Sequence, residues 1–362
     1  MANSIGKLFT VTSFGESHGR CVGIIIDGCP AGLAITKDDI QKEVDRRKPK
    51  SGISTTRNEP ETVEILSGIN DGHSTGAPVC LMIWNADADS SVYEKIRLLP
   101  RPGHADYTNF VKYGGYADYR GGGRSSGRIT AGYVMAGAIA KKLLDSIGIE
   151  ILAHTTEIGG IKAAEIEPED IKKIAENNIL RCADPEAATN MMKTIEKAQS
   201  EGDSVGGLIE CFALNVPAGL GEPAFDTLEG DLAKAMFSIP AVKGIEFGSG
   251  FSSARMKGSE NNDPFLIEKG KVVTATNNSG GILGGISNGM PIVLRVAIKP
   301  TPSISIQQDT VDLGTMTDSK IVITGRHDAC IVPRAVPVVE AMMAVTICDF
   351  GKRAGIIPEV IG

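Results

Sequence analysis

Residues 128–148 read "RITAGYVMAGAIAKKLLDSIG", a run of mostly small and apolar side chains that ends in a glycine. The run predicts one α-helix that stops at Gly148. Because small side chains let a helix lie close to its neighbours, we expect this helix in the interior of the fold.

The segment before that helix, "YADYRGGGRSSG" (residues 116–127), combines six side chains that can donate hydrogen bonds with four glycines. It matches neither the P-loop pattern nor the glycine fingerprint of dinucleotide-binding proteins. Backbone N–H groups, serine hydroxyls and guanidinium groups at a helix start can bind a flat or anionic ligand, and the helix dipole assists. We therefore predict a ligand-binding loop here.

The composition narrows the class of protein. Of 362 residues, 42% are hydrophobic and 5% aromatic, which is typical of a globular protein with an aliphatic interior and few rings to stack on bases. Nucleic acid is not an expected partner. No apolar run reaches the roughly 18 residues of a membrane span, and no signal-peptide pattern is present, so we expect a cytoplasmic protein. The seven cysteines form no C-x-x-C pair, which indicates reduced, buried thiols.

The arginines are distributed unevenly. The net charge is −7, yet nine of the fifteen arginines lie between residues 20 and 128. Clustered guanidinium groups on an acidic protein indicate a confined site for a small anion. Ion pairs on the surface are the alternative interpretation for any one of them.

The remaining segments predict an α+β fold. "TKDDIQKEVDRRKP" (36–49) predicts a helix capped by Thr36 and ended by Pro49. Two polar segments, 167–178 and 184–202, predict outer helices, the second capped by Asp184. Strand-like runs are "RCVGIIIDG", "APVCLMIW", "VGGLIECFALNV", "MPIVLRVAI" and "KIVITG". Because these runs do not alternate regularly with helices, α+β is favoured over a doubly wound parallel sheet.

Two stretches of the chain are similar to each other. "ILSGINDGHSTGAPVCLMI" (65–83) resembles "ILGGISNGMPIVLRV" (282–296), and each precedes a Gly-Arg motif that enters an apolar helix. An internal duplication related by a pseudo-two-fold axis is one explanation, and coincidence between glycine-rich turns is the other. No linker separates the halves, so we expect one domain over residues 1–362.

Three of the five histidines lie in glycine-flanked motifs: His18 in "FGESHGR", His104 in "RPGHADY" and His327 in "GRHDAC". Histidine can transfer protons near neutral pH, and a glycine neighbour lets a ligand approach. Their spacing fits no zinc pattern, and we expect no metal site. Lys299, Thr301 and Ser303 in "AIKPTPSIS" suit a terminal phosphate. These residues predict a small polyanionic substrate but leave the reaction open.

Several motifs together resemble those of the chorismate synthase family. They are "GESHG", "DRRKP", "RPGHADYT", "KYGGYADYRGGGRSSGR", "AVKGIEFGSGF", "GGILGGISNG", "KPTPSIS" and "GRHDACIVPRAVPVVEAM". The resemblance implies that 5-enolpyruvylshikimate 3-phosphate becomes chorismate and phosphate by an anti-1,4-elimination in the shikimate pathway. It also implies reduced FMN as cofactor, with no net redox change. A binding module without turnover and a flavin oxidoreductase are the alternative functions.

The resemblance also implies roles for individual residues. His18 would donate a proton toward the leaving phosphate, His104 would protonate or hold the reduced flavin, and Asp328 would help to deprotonate flavin N5. The substrate's anionic groups would contact Arg47, Arg101, Arg128 and Arg334. The flavin site would comprise Arg124, Ser125, Ser126, Pro240, Ala241, Gly284, Lys299, Pro300, Thr301, Pro302, Ser303 and Arg326, and Arg47 is a further candidate for a cofactor contact. Arg181 lies outside these motifs, so its removal should weaken substrate binding far less than removal of Arg128.

The family fold implied by the resemblance is a β-α-β sandwich, with central helices between antiparallel sheets, assembled as a homotetramer. The chain has no long insertion that could hold a flavin reductase, so reduced flavin would come from an external reductase, and NADPH would act only through that enzyme. Ile53 stands where relatives often have a second arginine, at a proposed pyridine-nucleotide contact.

Overall fold

Two five-stranded antiparallel sheets enclose a layer of helices in the computed structural model, which describes residues 2–48, 61–86, 90–323 and 328–362. The strands, numbered along the chain, are β1 (Ser4–Ile5), β2 (Thr10–Gly15), β3 (Cys21–Asp27), β4 (Glu64–Ser67), β5 (Ile69–Asn70), β6 (His73–Ser74), β7 (Val79–Trp84), β8 (Glu150–Ile158), β9 (Ile161–Lys162), β10 (Gly207–Leu214), β11 (Val242–Phe247), β12 (Phe265–Glu268), β13 (Lys271–Thr274), β14 (Ile282–Leu283), β15 (Ile286–Ser287), β16 (Ile292–Ile298), β17 (Gln308–Asp312) and β18 (Thr317–Ile321). The helices are α1 (Lys37–Arg47), α2 (Ser91–Lys95), α3 (Asp106–Lys112), α4 (Thr130–Asp145), α5 (Pro168–Ile174), α6 (Pro185–Ser200), α7 (Leu228–Phe237), α8 (Gly258–Asn261) and α9 (Val332–Arg353).

Both sheets use the same strand arrangement. The first has the order β1-β2-β3-β7-β4, and the second has the order β9-β8-β10-β16-β11. At their centres Ile24 pairs with Leu81 and Cys211 pairs with Leu294. These four side chains are fully buried, because alternate residues of the central strands face the helices.

The long helices α4 and α9 form the layer between the sheets. Helix α4 packs on β3, α9 packs on β8 and β10, and the two helices pack against each other. At their contact, a Cβ atom on Gly137 would lie 2.2 Å from Cβ of Ala341, so only glycine allows this approach. The predicted fold, with central helices between antiparallel sheets, is confirmed.

The internal duplication is visible as a shared set of contacts. The sequence Pro-Ala-Gly-Leu follows β3 at residues 30–33 and follows β10 at residues 217–220. In the first half, Ser74 Oγ donates to Pro30 O (2.5 Å) and accepts from Leu33 N (2.9 Å). In the second half, Ser287 Oγ donates to Pro217 O (2.6 Å) and accepts from Leu220 N (2.8 Å).

The duplication has a different register from the one suggested by the two similar stretches. The hairpins β5-β6 and β14-β15 pair Ile69 with Ser74 and Ile282 with Ser287, so Ile69 corresponds to Ile282. The first residue of the earlier stretch, Ile65, belongs instead to the edge strand β4. Residues 65–68 of the earlier stretch are therefore not the structural equivalents of residues 282–285.

Most predicted elements agree with the structure. Thr36 caps α1 and Asp184 caps α6, each by accepting backbone N–H groups. "KIVITG" is the exception, because β18 ends at Ile321. The proposed stop at Pro49 lies outside the described residues. All seven cysteines are free thiols, and five are buried. Within the described ranges, no helix is long and apolar enough to cross a membrane.

Candidate active site

The glycine-rich loop before α4 packs against the turn that holds His18. Gly121, Gly122 and Gly123 all have positive φ angles (58°, 84° and 51°), which a glycine adopts without steric cost. A Cβ atom on Gly121 would lie 2.2 Å from His18 Cδ2. Because glycine has no Cβ atom, the backbone of this loop can lie directly against the imidazole of His18.

His18 is buried among polar and aromatic neighbours. Its Nδ1 atom lies 3.0 Å from Ser90 Oγ, and its ring meets the Tyr93 ring edge-on at 5.1 Å between centroids. The Nε2 atom faces Gly121, since a Cβ there would lie 2.6 Å away. These contacts fix the orientation of a proton-carrying group.

Three side chains of the loop that the resemblance assigned to the flavin site have separate partners: Arg124, Ser125 and Ser126. Arg124 donates from Nη1 to Gly15 O (2.9 Å) and from Nη2 to Ser13 O (3.2 Å), so its guanidinium is held on β2. Ser125 is exposed and accepts from Asn109 Nδ2 (3.0 Å). Ser126 Oγ lies 3.1 Å from Ser17 Oγ, and so it joins the loop to the His18 turn.

A buried carboxylate joins two of the predicted substrate-binding arginines. Arg47 Nη2 donates to Glu61 Oε1 (2.7 Å), and Arg128 Nη1 donates to the same oxygen. Arg128 Nε also donates to Asn85 Oδ1 (3.0 Å). Arg47 and Glu61 are both at least 95% buried. Sequence reasoning missed Glu61, because no motif distinguishes it from the other acids near it.

The electrostatics of this cluster favour an added anion. Burial and the charges of Arg334 and Arg128 together lower the pKa of Arg47 to about 10, although Glu61 opposes them. Arg47 is therefore charged at neutral pH but lies among like charges in a desolvated place. Its Nε atom is buried without a hydrogen-bond partner among the described residues, so an oxyanion there would gain a donor.

Arg334 lies beside Arg47 and holds Asp328. Its Nη1 atom donates to Asp328 Oδ2, and its Nε atom donates to the backbone oxygen of Arg47 (3.3 Å). Asp328 is buried. The end of α1 and the start of α9 thus bring together Arg47, Arg334 and Asp328, which belong to two separated motifs.

Arg101 and His104 form a second group with the segment after β16. Arg101 is buried and bound to Asp106 through Nε (2.7 Å) and Nη2 (2.8 Å). His104 Nε2 lies 2.8 Å from Ser303 Oγ, and Lys299 Nζ donates to Gly103 O (2.5 Å). Two motifs separated by nearly 200 residues therefore meet here.

Shared neighbours connect these groups into one region. Tyr93 contacts His18, and the Arg101 guanidinium lies 5.4 Å from the centre of its ring. Asn85 accepts from Arg128 and donates from Nδ2 to Gly19 O (2.9 Å), next to His18. A cleft opens beside Arg101, and Tyr93, Arg97, Asp106 and Tyr119 line part of it.

The comparisons with known proteins agree with this geometry. The family model for chorismate synthase matches residues 9–351. The chain is 60% identical to a chorismate synthase of Dehalococcoides mccartyi over the whole of both chains, and 56% identical to that of Methanosarcina mazei over 98% of this chain and 97% of the relative. The chain belongs to the chorismate synthase family. A crystal structure titled as chorismate synthase superposes with a TM-score of 0.77 at 33% identity, covering 97% of this chain and 94% of the other.

Some residues predicted from the chorismate synthase resemblance lie apart from the groups above or cannot be placed. Gly284 is exposed in the turn between β14 and β15, and no hydrogen bond within the described residues links it to the arginine groups. Ala241 has a positive φ of 74° and accepts from Lys299 N (3.0 Å), so the Pro240-Ala241 turn does adjoin the segment 299–303. Arg326 and Ile53 lie outside the described residues.

The segment after β16 fits the phosphate end of the flavin that the chorismate synthase family implies. The Thr301 hydroxyl is buried and has no hydrogen-bond partner in the described part of the chain. Burial lowers the pKa of Lys299, and Lys243 lowers it further, so an anion beside this ammonium would offset both effects. No cluster of metal-ligating side chains occurs in the described ranges.

Proposed function

We propose that the protein converts 5-enolpyruvylshikimate 3-phosphate to chorismate and phosphate by an anti-1,4-elimination that depends on reduced FMN. The observation that carries this proposal is the buried group in which Arg47, Arg128 and Arg334 converge around Glu61 and Asp328. Three guanidinium groups share two carboxylates here, so the group can bind a small ligand that carries several anionic groups.

The substrate has the matching chemistry, since it carries one phosphate and two carboxylates. Planar guanidinium forks bind such groups through paired hydrogen bonds, and the low dielectric of a buried site strengthens each contact. We assign Arg47, Arg128 and Arg334 to these groups. Arg101 is already bound to Asp106 at two atoms, so it would contribute a fixed positive charge at the edge of the site.

In the reaction, the C–O bond to phosphate breaks with the electron pair leaving on phosphate, and a C–H bond on the opposite face loses a proton. We assign His18 as the proton donor to the departing phosphate, because Ser90 and Gly121 fix its ring. His104, held by Ser303, and Asp328, held by Arg334, are assigned to proton transfers at the cofactor.

When bound, reduced FMN would provide electron density for the loss of phosphate, with no net redox change. On the protein's side, Lys299, Thr301 and Ser303 would hold its phosphate, and the backbone of residues 121–123 would leave room for its ring. The fit rests on the buried Thr301 hydroxyl and on the positive φ angles of the three glycines. We further propose that an external reductase supplies reduced FMN and that the protein acts as a cytoplasmic homotetramer.

Anaerobic turnover tests the proposal. The protein is mixed with excess 5-enolpyruvylshikimate 3-phosphate and a small amount of chemically reduced FMN, and chorismate and phosphate are measured. We expect many molecules of each product per flavin, in equal amounts. Product that stops at one per flavin would indicate an oxidoreductase, and binding without product would indicate a module that lacks turnover; either outcome contradicts the proposal.

A further inference from the structure

Arg181 is a buried arginine that belongs to none of the site motifs. Its side chain is about 2% exposed, and its backbone has a positive φ of 51°, a strained conformation for a residue with a Cβ atom. The guanidinium donates to Arg46 O (2.5 Å), to Pro333 O (2.7 Å) and to Glu176 Oε1 (3.0 Å).

The two backbone oxygens that Arg181 binds have special positions. Arg46 O lies in the last turn of α1, one residue before Arg47. Pro333 O lies in the first turn of α9, one residue before Arg334. One guanidinium therefore joins the backbone positions directly before two arginines of the proposed substrate site.

A network of buried charges fixes the other side of Arg181. Glu176 accepts from both Arg181 and Arg46 (2.7 Å from Arg46 Nη2). Arg46 in turn binds the buried carboxylate of Glu340 on α9 through Nη2 (2.9 Å), and Glu340 also accepts from Lys141 on α4 (2.9 Å). The guanidinium of Arg181 is thereby tied to three of the helices and the loop between α5 and α6.

The geometry requires an arginine. Three acceptors surround one planar fork, and two of them are carbonyl oxygens from different helices. A lysine ammonium is a single point of charge that cannot span acceptors spread in this way. Without this fork, the hydrogen bond that still joins the last residue of α1 to the first turn of α9 among the described residues is the long one from Arg334 Nε to Arg47 O (3.3 Å).

We propose that Arg181 is a positioning residue, which sets the spacing between Arg47 and Arg334 and thereby the affinity for the anionic groups of the substrate. This inference rests on the proposed function. It revises the expectation that Arg181 matters little for substrate binding. The side chain touches none of the reacting atoms, so its loss should change binding more than the chemical step.

The test uses Arg181→Gln and Arg181→Lys with Arg295→Gln as a matched control. Arg295 binds Glu246, Glu210 and the carbonyl of Gly248, a similar set of acceptors on the second sheet outside the proposed site. For each variant, unfolding by urea gives stability, calorimetry gives the Kd of the substrate, and anaerobic turnover with reduced FMN gives KM and kcat.

We expect Arg181→Gln to raise Kd and KM at least about tenfold, the effect of one lost charge-assisted contact, with kcat changed less than about threefold. Arg181→Lys, which keeps the positive charge, should raise them by a smaller factor. Arg295→Gln should leave both unchanged whatever its effect on stability.

Unchanged Kd and KM in both Arg181 variants, in a protein that turns over normally, would remove this inference and leave the proposed function in place. Equal increases in Arg295→Gln would also remove it, because they would show a general effect of destabilisation. A wild-type protein without turnover would contradict the proposed function instead.

Discussion

The two halves of the molecule have the same scaffold but different chemistry. Each half has a Pro-Ala-Gly-Leu turn held by a serine, a small hairpin, a central strand and a long helix. Three equivalent places in this scaffold reach the candidate site. They are the end of the helix that follows the Pro-Ala-Gly-Leu turn (α1 or α7) or the residues just after it, the residue after β7 or β16, and the start of the long helix (α4 or α9).

At two of those places the halves have different residues, and at the third each half has an arginine. The first half supplies Arg47, Asn85 and Arg128, whereas the second half supplies Ala241, Lys299 and Arg334. The first set makes a side-chain cluster around Glu61, while in the second set the Ala241 backbone accepts from Lys299 N (3.0 Å). The duplicated contacts therefore support the fold. The proposed substrate and cofactor functions depend on the residues that differ between the halves and on the arginine at the start of each long helix.

The strongest test of this division of roles concerns His104, a histidine of the first half that contacts Ser303 of the second half. His104→Ala should lower kcat about 10²- to 10⁴-fold, the usual loss when a proton-transfer group is removed, with the fold intact. Ser303→Ala, which removes only its partner at 2.8 Å, should cost less. The measurement is anaerobic turnover with reduced FMN.

His73→Ala is the control for that experiment, because His73 is exposed on β6 and its ring forms a hydrogen bond with the backbone oxygen of Asp71. It should retain normal turnover. Full activity in His104→Ala would show that the junction between the halves does not take part in the chemistry.

A second prediction concerns Glu61, the acid that balances the arginine cluster of the first half. Glu61→Gln should lower the free energy of unfolding by about 3 to 5 kcal/mol, because it leaves Arg47 and Arg128 buried near each other without their shared carboxylate. Inorganic phosphate should then raise the Tm of the variant more than that of the wild type, since an anion bound only by the folded state stabilises it.

Glu64→Gln, three residues away on β4, provides the comparison. It should reduce stability less and should respond to phosphate as the wild type does. If phosphate stabilised Glu61→Gln and the wild type equally, removing the Glu61 charge would not have strengthened anion binding by the arginine cluster. The electrostatic argument for the substrate site would then be wrong.

A third prediction concerns Glu340, a carboxylate of the second half that is paired with Arg46 and Lys141 of the first half. Burial alone would raise the pKa of Glu340, but Lys141 and Arg46 of the first half more than offset it and lower the pKa to about 2, below the ordinary 4.5. A carboxyl with a depressed folded-state pKa stabilises the protein above pH 4.5, and that stability is lost as the pH falls toward 2.

Unfolding free energies measured between pH 6 and about pH 2 check this point. The wild type should lose on the order of 3 kcal/mol more over that window than Glu340→Gln, whose side chain does not titrate. Parallel curves for the two proteins would mean that Glu340 does not hold its charge through Arg46 and Lys141.

Sequence patterns predicted the scaffold well, because they report on local physics. The small residues of 128–148 require a close helix neighbour, which the contact of Gly137 with Ala341 supplies. Thr36 and Asp184 are caps that can be read from their own segments. Asn85 could also have been found, since it is the first polar residue after a predicted apolar strand.

The interior charges could not be predicted in this way. Glu61 and Arg181 lie in segments without a distinctive pattern, and Glu340 lies in an apolar helix. The roles of all three arise only when distant segments meet. The same reason explains the misplaced register of the internal similarity, because the equivalence of Ile69 with Ile282 depends on hairpin pairing and not on the order of similar letters.

The smallest expected effect tests the scaffold itself. Ser74→Ala and Ser287→Ala each remove a buried hydroxyl that donates to a proline carbonyl and accepts a leucine N–H. Each should lower the free energy of unfolding by about 1 to 3 kcal/mol, because a buried N–H and a carbonyl lose their partner. Ser200→Ala, at an exposed hydroxyl that bonds only to Lys197 O, should change stability by about 0.5 kcal/mol or less. Losses that differ by more than about 2 kcal/mol between Ser74→Ala and Ser287→Ala would mean that the serine contacts, although alike in geometry, no longer support the two halves equally.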